Sequence, residues 1–323
     1  MSQTLFRIYQ GAGRFSRVAA AIAVLLFAGL QVIKIEISIG AQVVLAVIAL
    51  AIGIPHGAID HLITIPRDST RRFIAFIAIY TLIAIVAALA IAQWNLLGFQ
   101  LVVLMSALHF GFGDSAYANE TRTAAQKNGY SKFILASYAI PAGFLPVVLP
   151  LTDKRTLEVL QELNPTLINW AGTFTELLRN STLAIALFST LLLIVSKNHG
   201  LALDLVLLLS LTFLAPPLVA FAVYFGFWHA IRHTARLVPK LPSAMQKIKN
   251  GNPLSGFFAA VIPGLYAILG IFLLGIVFVA RGTTDVSSDF LWVILVIIWA
   301  LTVPHMATTA KFDERAFKSS LRP

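Results

Sequence analysis

"RVAAAIAVLLFAGLQVIKI", residues 17–35, decides the fold. Between Arg17 and Lys34 it holds no charge, and at ~1.5 Å of rise per residue the run spans ~28 Å, close to the ~30 Å hydrocarbon core of a bilayer. In that medium a single segment is stable only as a helix, because its backbone groups must satisfy one another. Runs of this kind recur throughout the 323 residues, which are 58% hydrophobic and 12% charged with a mean hydropathy of +0.85. That composition excludes an ordinary soluble domain.

The sequence therefore predicts an all-α, polytopic transmembrane bundle of about ten spans. They fall near 17–35, 40–62, 73–92, 96–117, 132–151, 181–196, 199–215, 217–237, 256–280 and 290–310. Together they make one integral membrane domain over 1–323. The basic start leads into the first run with no small-residue cleavage site, so that run reads as a retained span. Lys and Arg concentrate on the side that carries both tails, which places both termini in the cytoplasm and the protein in the cell (inner) membrane. The net charge of +10 thus reads as topology, and no nucleic-acid partner is expected. Arg67, Arg71, Arg72, Arg232, Arg236, Lys240, Lys247, Lys249 and the tail from Lys311 read as headgroup anchors. Residues 152–180 mix leucines with charges and read as an external, surface-lying broken amphipathic helix, a connector more than a lid.

"GIPHGAIDHL", residues 53–62, puts ionisable groups where lipid favours leucine. The chain has seven histidines and no cysteine, so a bound transition metal would need histidine or carboxylate ligands. In the expected spans, His56, His109, His229, His233 and His305 each lie ~18–24 Å from the outer end. They therefore share a layer near the cytoplasmic leaflet, and groups so costly to insert imply a function or a common partner. His229 and His233, spaced i,i+4, share one helix face. His56, His109, His229 and His233 are the expected metal ligands; iron, zinc, copper and nickel all suit imidazoles. Arg232 is expected to point away from that face, toward headgroups.

Asp60, four residues after His56, and Asp114, five after His109, are candidates to hold the free imidazole nitrogens. His305, after Pro304, is a candidate ligand or pocket residue; His61 reads as interfacial and His199 as a loop residue. Phe110 and Phe112 flank His109, while Tyr224, Phe225, Phe227 and Trp228 precede His229. Such a cluster can line an apolar tunnel for a conjugated hydrocarbon. Phosphate-binding glycine loops, nucleotide fingerprints and Ser-His-Asp arrangements are missing from the sequence.

"GIPHGAIDH" (53–61), "ALHFGFGDS" (107–115), "VYFGFWHAIRH" (223–233) and "TVPHM" (302–306) together resemble the bacteriorhodopsin-related-protein-like (Brp/Blh) family of β-carotene 15,15′-dioxygenases. The resemblance implies a multi-span Fe(II) enzyme that cleaves the central double bond of β-carotene with O2, giving two all-trans-retinal, often for a retinal-binding rhodopsin. It carries the iron-ligand pattern onto His56, His109, His229 and His233, and no acid or base beyond the metal site. Two alternatives remain at this level: an intramembrane His/Asp metal or proton transporter, and a membrane di-iron lipid oxygenase, which needs more clustered histidines.

Overall fold

The computed structural model describes residues 2–65, 69–280 and 286–319, and every regular element among them is helical. In chain order these are α1 (Ser2–Val32), α2 (Ile39–Ala58), α3 (Asp60–Thr64), α4 (Thr70–Gln93), α5 (Asn95–Ala124) and α6 (Lys132–Val147). Then come α7 (Lys154–Leu163), α8 (Thr175–Val195), α9 (His199–Leu214) and α10 (Pro217–Ala222). A π-helical turn, Val223–His229, links α10 to α11 (Ala230–Leu237). α12 (Pro242–Lys249), α13 (Pro253–Val261), α14 (Leu265–Val279) and α15 (Val286–Ser319) complete the chain. Local chemistry fixes many of the starts. Ser38, Ser69, Ser131 and Asp153 each accept a backbone N–H of the first turn, while Pro217, Pro242 and Pro253 occupy first-turn positions where no N–H is needed.

Among the described residues, seven helical stretches are long and apolar enough to cross a membrane: Gln3–Val32, Ile39–Leu62, Thr70–Gln93, Asn95–Ala124, Gly172–Val195, Pro253–Val277 and Trp292–Glu314. α6 and α9 are shorter apolar helices of 16 residues, or ~24 Å, against a core of ~30 Å. Pro217–Leu237 is interrupted by the π turn. These three are set into the interior, with Tyr138, Leu145, Leu205 and Trp228 in the main core cluster, whereas α4 turns Ile74, Leu82, Val86 and Leu89 outward. α5 and α6 meet through reciprocal glycines. A Cβ on Gly111 would lie 2.0 Å from the Ala139 carbonyl oxygen, and one on Gly143 would lie 1.8 Å from that of Ala107. The backbones approach closely because neither residue has a side chain.

Two expected anchors are interior groups instead. Arg232 is 1% exposed; its guanidinium lies 3.7 Å over the Trp228 ring and bonds Asp204 Oδ2 at 3.0 Å. Asp204 also receives Arg17 Nε at 2.6 Å and the Tyr138 hydroxyl at 3.2 Å. Arg236 is likewise buried, gripping Glu120 through two nitrogens at 2.8 and 3.2 Å and Asp313 at 2.6 Å. Positive charge near a helix end reads as an anchor in sequence, but these carboxylates come from α5, α9 and α15, which only the packing brings close. Arg71, Arg72, Lys240, Lys247, Lys249 and Lys311 are exposed, and Arg67 lies outside the described residues.

The 152–180 segment is also more than a surface connector. Leu160, Leu167 and Trp170 are buried, Trp170 Nε1 donates to the Leu151 carbonyl at 2.9 Å, and the Trp170 carbonyl accepts from Gln100 Nε2 at 2.6 Å. Its last residues, from Thr175, already belong to α8.

Candidate metal centre

α2 supplies His56, α5 His109, the end of the π turn His229, α11 His233 and α15 His305, and all five are buried. Four of the rings form a closed circuit: His56 to His229 5.5 Å, His229 to His109 5.2 Å, His109 to His305 5.1 Å and His305 to His56 5.4 Å between centroids. His233 sits against all four, at 5.0, 5.8, 6.2 and 5.8 Å from His56, His229, His109 and His305. Imidazoles bound to one ion through nitrogens at ~2.0–2.1 Å have centroids about 3.2 Å from it, and so about 4.5–6.4 Å from one another. The observed spacings fall inside that window. Ligating nitrogens of His56, His109 and His305 lie within 4.8 Å of each other.

The nitrogens themselves test the fit. His56 Nδ1, His109 Nε2, His305 Nε2 and both nitrogens of His229 and His233 are buried with no hydrogen-bond partner. A cluster of unpaired polar atoms in a dry interior is expensive, and natural proteins rarely leave one without a purpose. A shared cation would take one nitrogen from each ring, five of these seven atoms, and neutral imidazoles suit a borderline metal such as iron. Two rings have their outer nitrogens held. His305 Nδ1 donates to Asp60 Oδ2 at 2.9 Å, and Asp60 Oδ2 also accepts from the Tyr80 hydroxyl at 3.3 Å. Thr309 Oγ1 donates to backbone carbonyls of its own helix and lies 3.3 Å from His109 Nδ1, from which it accepts. Both arrangements leave Nε2 with its lone pair toward the cluster.

Local backbone explains where the carboxylates ended up. α2 stops at Ala58, and Ile59 (φ −97°, ψ 10°) joins it to α3. Asp60 is thereby off the register of His56 and serves His305 instead. α5 runs unbroken past Gly111 and Gly113 to Ala124, so Asp114, five residues after His109, is turned ~140° around the axis from it. Its Oδ2 accepts from the Tyr224 hydroxyl at 3.1 Å and Trp228 Nε1 at 3.0 Å. Asp114 therefore braces the π turn from behind. The π turn, a feature common near functional sites, is what sets His229 beside Phe110, 4.4 Å between centroids. Gly57 leaves room for His305, whose ring a Cβ there would meet at 3.2 Å.

A cavity of about 460 Å³ opens from the cluster. His56, His109, His305, Asp60 and Tyr80 line one end; Phe99, Phe110, Phe221, Phe225 and Trp299 form its aromatic walls. Of the aromatics expected there, only Phe110 and Phe225 take part. Phe112 is 44% exposed, Phe227 packs toward Phe15 at 6.5 Å, and Tyr224 and Trp228 lie behind the site on Asp114. His61 lines the cavity with its ring 5.8 Å from Phe73. His199 is exposed and is the first residue of α9, not a loop residue. Tyr80, Thr309, Phe221 and Trp299 carried no sequence signal, because nothing separates them from lipid-facing or packing residues of the same type.

Fold and site together define a helical membrane-type protein with a buried polyhistidine centre at the end of an apolar cavity. The chain belongs to the β-carotene 15,15′-dioxygenase family, which it matches over residues 47–313. It is 30% identical over 263 residues to a protein of an uncultured marine bacterium, 66A03, named β-carotene 15,15′-dioxygenase, covering 79% of this chain and 88% of that one. It is 32% identical over 118 residues to a probable β-carotene 15,15′-dioxygenase, Blh, of Halobacterium salinarum, covering 35% of this chain and 33% of that one. No solved structure matches the chain.

Proposed function

We propose that this protein cleaves β-carotene across its central 15,15′ double bond with dioxygen, releasing two molecules of all-trans-retinal into the membrane. The observation that carries the reading is the set of unpartnered imidazole nitrogens gathered at one end of an apolar, aromatic-walled cavity, in a chain of this family. In this reading the chain crosses the cell membrane ten times with both termini cytoplasmic, and the histidine layer lies toward the inner leaflet. Retinal made there can pass to a retinal-binding protein such as a rhodopsin.

His56, His109, His229 and His233 hold Fe(II), with His305 joining them. Iron held there supplies the one-electron chemistry that allows dioxygen to react with a closed-shell alkene. The protein's own residues bind and orient. Phe110, Phe221, Phe225 and Trp299 pack along the polyene and fix which double bond faces the histidines, which lowers the barrier by positioning. The buried apolar walls keep water from the reacting atoms. Alkene and dioxygen contain every atom of the two aldehydes, so no external reductant and no side-chain acid is required. A transport path would need ionisable groups beyond the cluster, and the wall leading away from it is hydrocarbon and aromatic apart from the hydroxyls of Ser106, Thr302 and Thr156.

Expression in carotene-producing cells tests the reading: loss of colour with retinal appearing is expected, together with iron in the purified protein. Alanine at His56, His109, His229, His233 or His305 should abolish both, while the exposed His199 tolerates it. Full iron content and retinal production in His229→Ala would overturn the ligand set. Ion flux in liposomes with no carotenoid product would favour transport.

A further inference from the structure

The cavity ends at α7. This helix is amphipathic: Lys154, Arg155, Glu158 and Gln161 are exposed, while Thr156, Val159 and Leu160, spaced as one helix face, line the cavity. The end is held in place by its flanks. Trp170 packs edge-on against Phe99, 5.8 Å between centroids, and is tied by hydrogen bonds to Leu151 and Gln100.

The depth is set by two helices. Phe99 and His109 on α5, and Leu295 and His305 on α15, all line the cavity, and each pair is ~15 Å apart along its axis. That is about the length of the ring-bearing half of an extended C40 polyene. A carotenoid whose central double bond lies at the histidines would therefore bring one terminal ring to α7.

One polar atom of this wall, covered by its neighbours and brought to the cavity by turning the side chain about χ1, has no structural employment. Thr156 is 3% exposed, and its Oγ1 has no hydrogen-bond partner. Elsewhere in the chain, Thr190, Thr212, Thr302 and Thr308 return their hydroxyls to the carbonyl four residues back, the ordinary refuge for a helical threonine in apolar surroundings. Thr156 sits too near the start of α7, at Lys154, for that bond to form. Valine would fill the same space without the cost of burying an unpaired hydroxyl.

We propose that α7 is the end wall against which one terminal ring of the carotenoid seats, and that Thr156 is a specificity-determining residue there, its hydroxyl pairing with a hydroxyl on that ring. This rests on the carotenoid-cleaving reading above and extends its substrate class from unsubstituted to ring-hydroxylated carotenoids. A singly hydroxylated substrate loads with its oxygenated ring at α7.

The test compares wild type, Thr156→Val and Thr156→Ser in detergent, on β-carotene and on its mono- and dihydroxylated analogues. Binding is followed by the shift of carotenoid absorption, and cleavage by chromatography of the aldehydes. In Thr156→Val the ratio of kcat/KM for hydroxylated over unsubstituted substrate should fall about three- to tenfold, through KM rather than kcat. Thr156→Ser should restore it. An equal ratio in wild type and Thr156→Val, with β-carotene still cleaved, would overturn the end-wall assignment alone. Wild type that neither binds nor cleaves any carotenoid would overturn the functional reading, and the assignment with it.

Discussion

Asp60→Asn separates the arrangement in this structure from the one the sequence suggests. Asp60 is 2% exposed and its Oδ2 takes both the His305 Nδ1 proton, at 2.9 Å, and the Tyr80 hydroxyl, at 3.3 Å. Asparagine keeps the shape and removes the charge. A charge-assisted hydrogen bond is about twice as strong as a neutral one, whose net worth is ~1 kcal/mol. Across the two bonds, His305 is held less firmly by about 1–2 kcal/mol, which corresponds to about a five- to thirtyfold loss in metal affinity at ~1.4 kcal/mol per decade. That agrees with the ~10–100-fold cost typical of losing an imidazole-orienting partner. Asp114→Asn is the comparison, since its carboxylate bonds Tyr224 and Trp228 and no histidine; it acts on His229 only through the π turn, so it should lower thermal stability and reduce Fe(II) affinity less than Asp60→Asn does. The assay is anaerobic competition for Fe(II) between the purified protein and a chromophoric chelator. Wild-type affinity in Asp60→Asn, or an equal loss in Asp114→Asn, would refute the assignment of Asp60 to His305.

Two further outcomes follow from packing. Asp204→Ala strands Arg232, 1% exposed, without a counter-charge, leaving it the Ser16 and Tyr138 hydroxyls at 3.3 Å and the Trp228 and Tyr117 faces, and should cost ~3–5 kcal/mol in unfolding free energy. The double variant Asp204→Leu with Arg232→Met should recover most of it, as read from thermal unfolding in detergent; no recovery would mean the pair is not energetically coupled. Gly143→Val places a Cβ 1.8 Å from the Ala107 carbonyl oxygen, so α5 and α6 must separate and His109 moves with α5. Aggregation on size-exclusion chromatography, or folded protein with lost iron, is expected, and a well-folded variant with full iron would contradict the observed contact.

Much of the site was legible because a histidine inside hydrocarbon is conspicuous wherever it falls. Helical rise alone predicted that His56, His109, His229, His233 and His305 would share a level, and the structure brings their rings together. Neighbour relations within a helix were less secure. The i+4 link from His56 to Asp60 assumed a continuous helix, and the backbone breaks at Ile59. The reading of Arg232 as a headgroup anchor assumed that charge seeks water, whereas Asp204 from α9 reaches it inside the protein.

Composition and periodicity by themselves determined that this chain is helical and lipid-compatible, and which residue types had to find a partner within it. They do so because the energy of placing a side chain in hydrocarbon belongs to that side chain, whatever surrounds it. Which carboxylate serves which imidazole, which aromatics face the cavity and what closes its far end were decided only by the tertiary structure. Those contacts join α2 to α15, α5 to the π turn and α7 to the bundle, and their energies depend on distances between segments that no local pattern encodes.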